Sequence, residues 1–342
     1  MLVKFLLITL IVKLCAFGAE DLITIGGYAE GYVLSKPSDK STLITNMMVE
    51  PTIHLNDRVK VNLGIGFAHP AEDGGVFEAE LEVLSLDTTV AKETDLSLGK
   101  MHMPVGLYNL YHEPIYFLTL EPSRVEHLVI PTEWHETAAL VTQKWGEYSL
   151  TFGAMSGMNA KNLDKGSWIL QGKESHLTGG GKAGWLARLE YGKIEKTLIG
   201  SSIVTTPLSG SSGQATLFEA HAAMRMENGW EAMAIMSKGW ISNIESVQIA
   251  AGAEIAKNAQ GASMTIGYDV GRYFALKNRQ AIVFAHTEYA QPAQTLAPEA
   301  LGGSACATGI NWFFSPHLVA KAEYRDSNHE GQRLGFGLGF VY

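Results

Sequence analysis

The last ten residues, Arg333 to Tyr342, constrain the fold more than any other stretch. Leu334, Phe336, Leu338, Phe340 and Tyr342 fall on one side of an extended chain, and Gly335, Gly337, Gly339 and Val341 on the other. Such period-two alternation is a strand signal, because successive side chains point to opposite faces. One face is large and apolar, and the other is nearly bare. A strand of a soluble sandwich would place polar residues on its second face. A greasy outer face and a small inner one suit the closing strand of a transmembrane β-barrel.

The rest of the chain can be held to that expectation. After the N-terminal segment there is no apolar run long enough for a membrane-spanning helix, which needs about 18 residues. Yet 46% of the residues are hydrophobic, 36 are Gly and only 18% are charged. A mean hydropathy of +0.05 without long apolar runs is the profile of a barrel, where lipid-facing and lumen-facing residues interleave. Residues 1–19 read as a signal peptide: Lys4, an apolar core from Phe5 to Val12, and Ala16-Phe17-Gly18-Ala19 before Glu20, with cleavage after Gly18 or Ala19. The barrel is then expected over 20–342. Removing the leader takes Lys4 and Lys13 from the 26 bases and none of the 35 acids, leaving a net charge of −11 that argues against a nucleic-acid partner. Cys306 is the only cysteine beyond the leader, so neither an intrachain disulfide nor a thiolate zinc site is expected.

In chain order the alternation predicts strands over 22–34, 43–55, 59–67, 77–83, 94–103, 137–144, 148–155, 183–191, 197–206, 217–227, 230–240, 262–272, 280–290, 304–314, 318–326 and 333–342. That makes sixteen. The segment 242–260 reads as an outer loop with a helical turn, because a seventeenth strand would leave the chain ends on opposite sides. The expected fold is therefore all-β: a transmembrane antiparallel β-barrel of sixteen strands.

Between Pro104 and Glu136 the alternation stops. Four prolines (Pro104, Pro114, Pro122, Pro131) and several aromatics (Tyr108, Tyr111, Tyr116, Phe117, Trp134) stand in over thirty residues without period. Loops of that length are functional or disordered, and this one is too apolar for disorder. As the third outward loop it is expected to fold into the barrel as a constriction. Its candidate pore residues are His112, Glu113, Glu121, Arg124, Glu126, His127, Glu133, His135 and Glu136. Imidazoles and carboxylates are zinc-ligand types, but no HExxH-like spacing is present, so no metal and no cofactor are expected.

On the strands, the residues opposite the apolar faces are assigned to the lumen: Glu30, Lys60, Glu78, Glu80, Glu82, Arg188, Glu190, Glu219, His221, Arg225, Glu227, His286, Glu288, Lys321, Glu323 and Arg325. In the same reading Phe77, Ala79, Leu81 and Val83 face outward from the fourth strand. Three carboxylates in alternation, Glu78, Glu80 and Glu82, are read as solvated lumen groups paired with bases on neighbouring strands. With Arg333 the inward set holds six bases against nine acids. His221 and His286 face inward, but no Ser or Asp beside them in sequence completes a nucleophilic arrangement, so no enzyme is expected.

Several motifs resemble one family. Leu98-Gly99-Lys100, Pro104-Val105-Gly106-Leu107-Tyr108-Asn109, His112-Glu113-Pro114, Glu121, Ile130-Pro131-Thr132-Glu133-Trp134-His135-Glu136, Phe284-Ala285-His286-Thr287-Glu288, Leu318 to Tyr324 and the Gly-Leu-Gly-Phe terminus are similar to outer-membrane porins of the phosphate-selective porin O/P-like superfamily. The resemblance implies a sixteen-stranded pore, often a homotrimer, with an inward third loop, placed among outer-membrane lipids by the barrel-assembly machinery. Phosphate selectivity does not follow: the inward set is acid-rich, and His286 stands where members often carry Arg. The function expected is passive diffusion of small hydrophilic solutes or ions with a mild cation preference, since acid-lined pores favour cations. A metal-binding or substrate-specific channel, or a plugged structural or adhesive barrel, are the alternatives.

Overall fold

The computed structural model describes residues 22–35, 42–69, 78–173, 182–274, 279–291, 302–328 and 331–342. The leader expected over 1–19 lies outside them. Seventeen strands are present among the described residues: β1 (Ile23–Ser35), β2 (Thr42–Asn56), β3 (Val59–His69), β4 (Glu78–Ala91), β5 (Thr94–His102), β6 (His135–Trp145), β7 (Tyr148–Ser156), β8 (Met158–Asn159), β9 (Ala183–Gly192), β10 (Thr197–Ser209), β11 (Gln214–Arg225), β12 (Trp230–Ser242), β13 (Asn258–Asp269), β14 (Gln280–Gln291), β15 (Gly303–Ser315), β16 (Leu318–Ser327) and β17 (Gly331–Val341). The two-residue β8 pairs in parallel with β10 inside a loop, while β7 pairs directly with β9. The other sixteen form a closed antiparallel ring, because β17 pairs with β1 over Tyr28↔Val341 to Ser35↔Leu334. Closure leaves no strand edge, which a membrane demands.

The expected strands are all found, with shifted ends. The segment 242–260, expected as an outer loop with a helical turn, contains helix α1 (Ile244–Ala251), flanked by left-handed Asn243 (φ 49°) and Gly252 (φ 66°), and β13 begins at Asn258, four residues before the expected start. No helix among the described residues is long and apolar enough to cross a membrane.

The outer surface carries two belts of aromatic residues. Trp145, Tyr148, Tyr191, Trp230, Tyr268 and Tyr342 are near the short turns and the chain ends, and Trp185, Trp240, Tyr289 and Tyr324 are near the long loops. On β12 the two belts are represented by Trp230 and Trp240, ten residues apart. At ~3.3 Å per residue and a tilt of ~40° that is about 25 Å along the membrane normal, the height of the apolar band of outer-membrane barrels. Between them stand exposed Leu189, Ile199, Ile203, Phe218, Met236, Met264, Phe336 and Leu338.

One phase error has a clear cause. Val83 was expected outward with Leu81. A β-bulge instead sets Gly64↔Val83 next to Ile65↔Leu81, so that Glu82 and Val83 together oppose one step of β3. Val83 packs over inward Gly64, and the alternation restarts with Leu84 outward and Ser85 inward. A bulge shifts phase by one residue, which a period-two pattern cannot foresee.

Candidate functional site

The segment 103–134 leaves β5 and rejoins β6 inside the barrel. Apolar burial holds it there. Met103, Val105, Val125, Leu128, Val129, Ile130 and Trp134 form one cluster with inward residues of β6 to β14. Leu118 packs with Ile282, Phe284 and Val319. The glycine face of β17 receives the loop directly: a Cβ on Gly335 or Gly337 would run into Leu120, and one on Gly339 into Pro114. Residues Val125–Val129 form a single π-helical turn, closed by Ile130 N–H donating to the Val125 carbonyl at 2.8 Å. Such turns recur at functional sites.

A loop without regular structure must satisfy its backbone elsewhere. The wall charges do this. Lys321 Nζ donates to the carbonyls of Phe117 (2.7 Å) and Thr119 (2.9 Å), and Asn311 Nδ2 to that of Leu118 (2.9 Å). Glu323 accepts from Leu120 N–H (2.9 Å), and Glu288 from Arg124 N–H (2.6 Å). Arg225 donates to the carbonyls of Ile115 (3.2 Å) and Tyr116 (3.1 Å), and Arg188 to that of Gly106 (2.7 Å). Behind these contacts the charges pair among themselves. Arg325 bridges Glu288 (2.8 Å) and Glu323 (2.9 Å), and His286 lies 3.3 Å from Glu288. Arg188 meets Glu190 (2.6 Å), while His221 sits between Glu219 (2.9 Å) and Glu190 (3.4 Å).

Apart from Glu78 and Glu227, the expected lumen residues face inward, but half of the sixteen are not solvated. Arg188, Glu219, His221, His286, Glu288, Lys321, Glu323 and Arg325 are buried beneath the loop. Glu30, hydrogen-bonded by Asn46 Nδ2 at 3.1 Å, Glu80 and Glu82 stay on the wetter wall of β1 to β4. Lys60 is at the short-turn mouth, 3.6 Å from Asp87. The side chain of Glu78 lies outside the described residues. Glu227 is a correction. β11 ends at Arg225, the Asn228-Gly229 turn takes over with Gly229 at φ 93°, and Glu227 is exposed outside the lumen.

Of the expected constriction residues, Glu126 and Glu136 do not line an opening. Glu126 accepts from the N–H groups of Leu107 and Tyr108, both at 2.7 Å, and burial pushes its carboxyl above the ordinary range. Glu136 is fully buried and takes the Trp134 indole N–H and the Ser156 hydroxyl. His135 is the first residue of β6 and hydrogen-bonds Glu80 at 3.0 Å. Glu121 pairs with Arg333, and Arg124 Nη1 donates to Ser327 Oγ at 2.9 Å. His127 is exposed and 3.2 Å from Thr132 Oγ1. Glu133 is exposed with a left-handed φ of 51°, uncommon for a side-chain-bearing residue. Burial pushes Glu113 up to about 7 and holds His112 down to about 4.

Polar cavities lie toward both ends of the barrel. One of about 460 Å³ on the long-loop side is lined by Glu121, Arg124, His127, Glu133, Arg325 and Arg333, with Tyr32, Asn46 and Gln171. Another of about 420 Å³ on the short-turn side is lined by Lys60, Asp87, Asp95, Thr142 and Lys144.

The sequence reading missed a second inward segment. Trp168 and Ile169, between β8 and β9, are fully buried in the main cluster, with Trp168 seated over Gly239. Leu170 and Gln171 reach the larger cavity, and Lys173 Nζ donates to the Thr132 carbonyl at 2.7 Å. The apolar triplet Trp168-Ile169-Leu170 within an otherwise polar stretch was the available signal.

No protein-family model matches the chain. An uncharacterized protein of Aquifex aeolicus (strain VF5) is 21% identical over 339 residues, covering 91% of this chain and 77% of that protein. Among solved structures, Salmonella typhi OmpF in complex with daunomycin superposes with a TM-score of 0.61 at 10% identity, covering 94% of this chain and 97% of that one. The outer membrane channel DcaP of Acinetobacter baumannii gives 0.58 at 10% identity, covering 94% and 97%. At such identities the likeness is one of fold: this chain is a closed sixteen-stranded barrel built like those of outer-membrane porins.

Proposed function

We propose that the protein is an outer-membrane channel of the porin type, passing small hydrophilic solutes or ions by diffusion, and not an enzyme. The observation that carries this reading is the inward loop lying in a closed barrel between two polar cavities. The resemblance to the phosphate-selective porin O/P-like superfamily, the leader over 1–19, delivery by the barrel-assembly machinery and a homotrimeric state belong to the same proposal. His221 and His286 support the non-enzymatic reading, because each is buried against carboxylates.

A mild cation preference is part of the proposal. In the larger cavity Arg325 and Arg333 face Glu288 and Glu121 as ion-pair partners, so their fields are largely offset. Exposed Glu133 and half-buried Arg124 balance in number in that cavity, and the acids in surplus, Glu30 and Glu82, stand on the β1–β4 wall. Acids not offset by bases favour cations. The test is a planar-bilayer recording of the purified protein under a salt gradient: discrete conductance steps with a cation-selective reversal potential are expected, and clear anion selectivity would sink the charge argument.

A plugged structural barrel is the second reading. It is favoured by the number of wall side chains bonded to the loop backbone. Absence of conductance from correctly folded protein would select it.

A further inference from the structure

Three ligand-type side chains, distant in sequence, meet beside the root of the inward loop. Glu82 of β4, His102 of β5 and His135 of β6 each bring one donor atom within 4.8 Å of the other two. The topology places them. His102 and His135 are direct partners in the β5–β6 ladder. The β4–β5 register runs to Leu84↔Lys100, and two residues further it sets Glu82 beside His102. Glu82 follows outward Leu81 and so faces inward by simple alternation, lying over Gly66, where a Cβ would collide with its carboxylate.

The imidazoles are not otherwise satisfied. Among the described residues neither ring nitrogen of His102 nor Nδ1 of His135 has a hydrogen-bond partner, although His135 is only 6% exposed. His102 Nε2 lies 3.5 Å from Glu82 Oε2, too long for a good hydrogen bond. Buried ring nitrogens without partners ask for an explanation. The second nitrogen of His135 is engaged: Nε2 donates to Glu80 Oε1 at 3.0 Å, and Lys100 Nζ is 3.5 Å from the same oxygen. A carboxylate on one nitrogen fixes the ring and raises the basicity of the other, the arrangement found behind metal-ligating histidines.

We propose that Glu82, His102 and His135 bind a divalent transition-metal ion of the zinc class, with Glu80 as the outer carboxylate on His135. Two imidazoles and one carboxylate form the donor set of an open zinc site, with water in the fourth position. Tetrahedral ligands ~2.1 Å from an ion are roughly 3.4 Å from one another. The Glu82–His102 pair, at 3.5 Å, already has that spacing, and all three donor atoms lie within 4.8 Å of one another, a gap small enough for side-chain rotation to close. A hard cation such as Ca²⁺ prefers six or more oxygens, which this group does not offer. The nearby ammonium groups are directed elsewhere, Lys100 to the Leu81 carbonyl (2.6 Å) and Lys173 to that of Thr132 (2.7 Å). Glu80 is half exposed, giving the ion a wet approach. Because His102 and His135 stand at the two ends of the loop, the ion ties both of its legs to the β4 wall. The ring of His112, 5.2 Å from that of His102, brings the loop itself against the site.

The test uses the full-length chain folded in detergent, titrated with Zn²⁺ by calorimetry and with Co²⁺ by absorption. About one ion per chain and tetrahedral Co²⁺ bands are expected. His102→Ala, His135→Ala and Glu82→Gln should each weaken binding at least a hundredfold, Glu80→Gln by about tenfold to a hundredfold, and His127→Ala not at all. Heat-modifiable migration identifies the variants that still fold. No uptake by the unmodified protein, or uptake that folded His102→Ala and Glu82→Gln leave unchanged, overturns the site. Neither outcome depends on whether the barrel conducts.

Discussion

Leu120 lies over the bare face of Gly335, so that one methyl of the loop occupies the place a side chain on β17 would take. The neighbouring glycines repeat the relationship, Gly337 with the second Leu120 methyl and Gly339 with the Pro114 ring. The alternate glycines of the last strand are therefore a groove for the loop. Leu120 can rotate away from an added methyl, but the Pro114 ring cannot. Gly339→Val should cost about 1–3 kcal/mol, as overpacking does, and displace the loop, while Gly335→Ala is milder. The temperature at which the folded band is lost on semi-native gels checks this. Equal transitions for both variants would remove the groove explanation.

Lys321 is the strongest single tether, reaching the Phe117 and Thr119 carbonyls on either side of Leu118. Hydrogen bonds to charged groups contribute about 1.5–3 kcal/mol each, and a buried carbonyl left without a donor costs a similar amount. Lys321→Met keeps the volume of the stem and removes the ammonium. Amide exchange at 118–120 should quicken at least tenfold, with the strand amides of β16 unchanged.

How much of this was legible beforehand depends on which physical rule governed each part. Strands such as β12 and β17 face lipid on one side, so membrane chemistry writes their period into the sequence. The inward course of 103–134 could be read from its aromatics, which need burial, and from the glycines waiting on β17. The use of the wall charges could not. Lys321 and Glu323 alternate like solvated lumen residues, and only the fold shows that carbonyl and N–H groups of the loop reach them first. Likewise Glu82 and His135 are 53 positions apart, and no spacing rule joins residues that meet through the register of three strands.

Glu113 gives the loop a pH dependence of defined sign. Burial pushes its carboxyl up to about 7, above the 4.5 of an exposed one. The folded loop thus binds the proton more tightly than a released loop does. The stabilisation is full below about pH 4.5 and is lost as the pH rises through about 7. Loop fluctuations, read as open-channel noise, should grow from pH 4.5 to pH 7.5, and Glu113→Gln should be flat across that window. Noise that falls with rising pH would contradict the sign.

Two acids of the loop, Glu126 and Glu133, separate structure from selectivity. Glu126 is buried and accepts two backbone N–H groups at 2.7 Å, so its carboxyl oxygen anchors the loop and is shielded from passing ions. Glu133 is exposed to the larger cavity, held there by a left-handed backbone at φ 51°. Glu126→Gln keeps an acceptor oxygen but loses the charge-assisted part of two hydrogen bonds, which makes such bonds roughly twice as strong as neutral ones. Burial disfavours the charge and offsets that loss, so thermal stability should change little and the reversal potential should stay unchanged. Glu133→Lys changes the local charge by two units where ions pass, and should move the reversal potential toward anions with little loss of stability. Glu133→Gly relieves the left-handed backbone and removes the charge, so it should shift selectivity in the same direction by a smaller step while the folded barrel is retained. If Glu126→Gln moved the reversal potential as far as Glu133→Lys, the loop would not be packed as described, and the cation preference would have to rest on the β1–β4 wall alone.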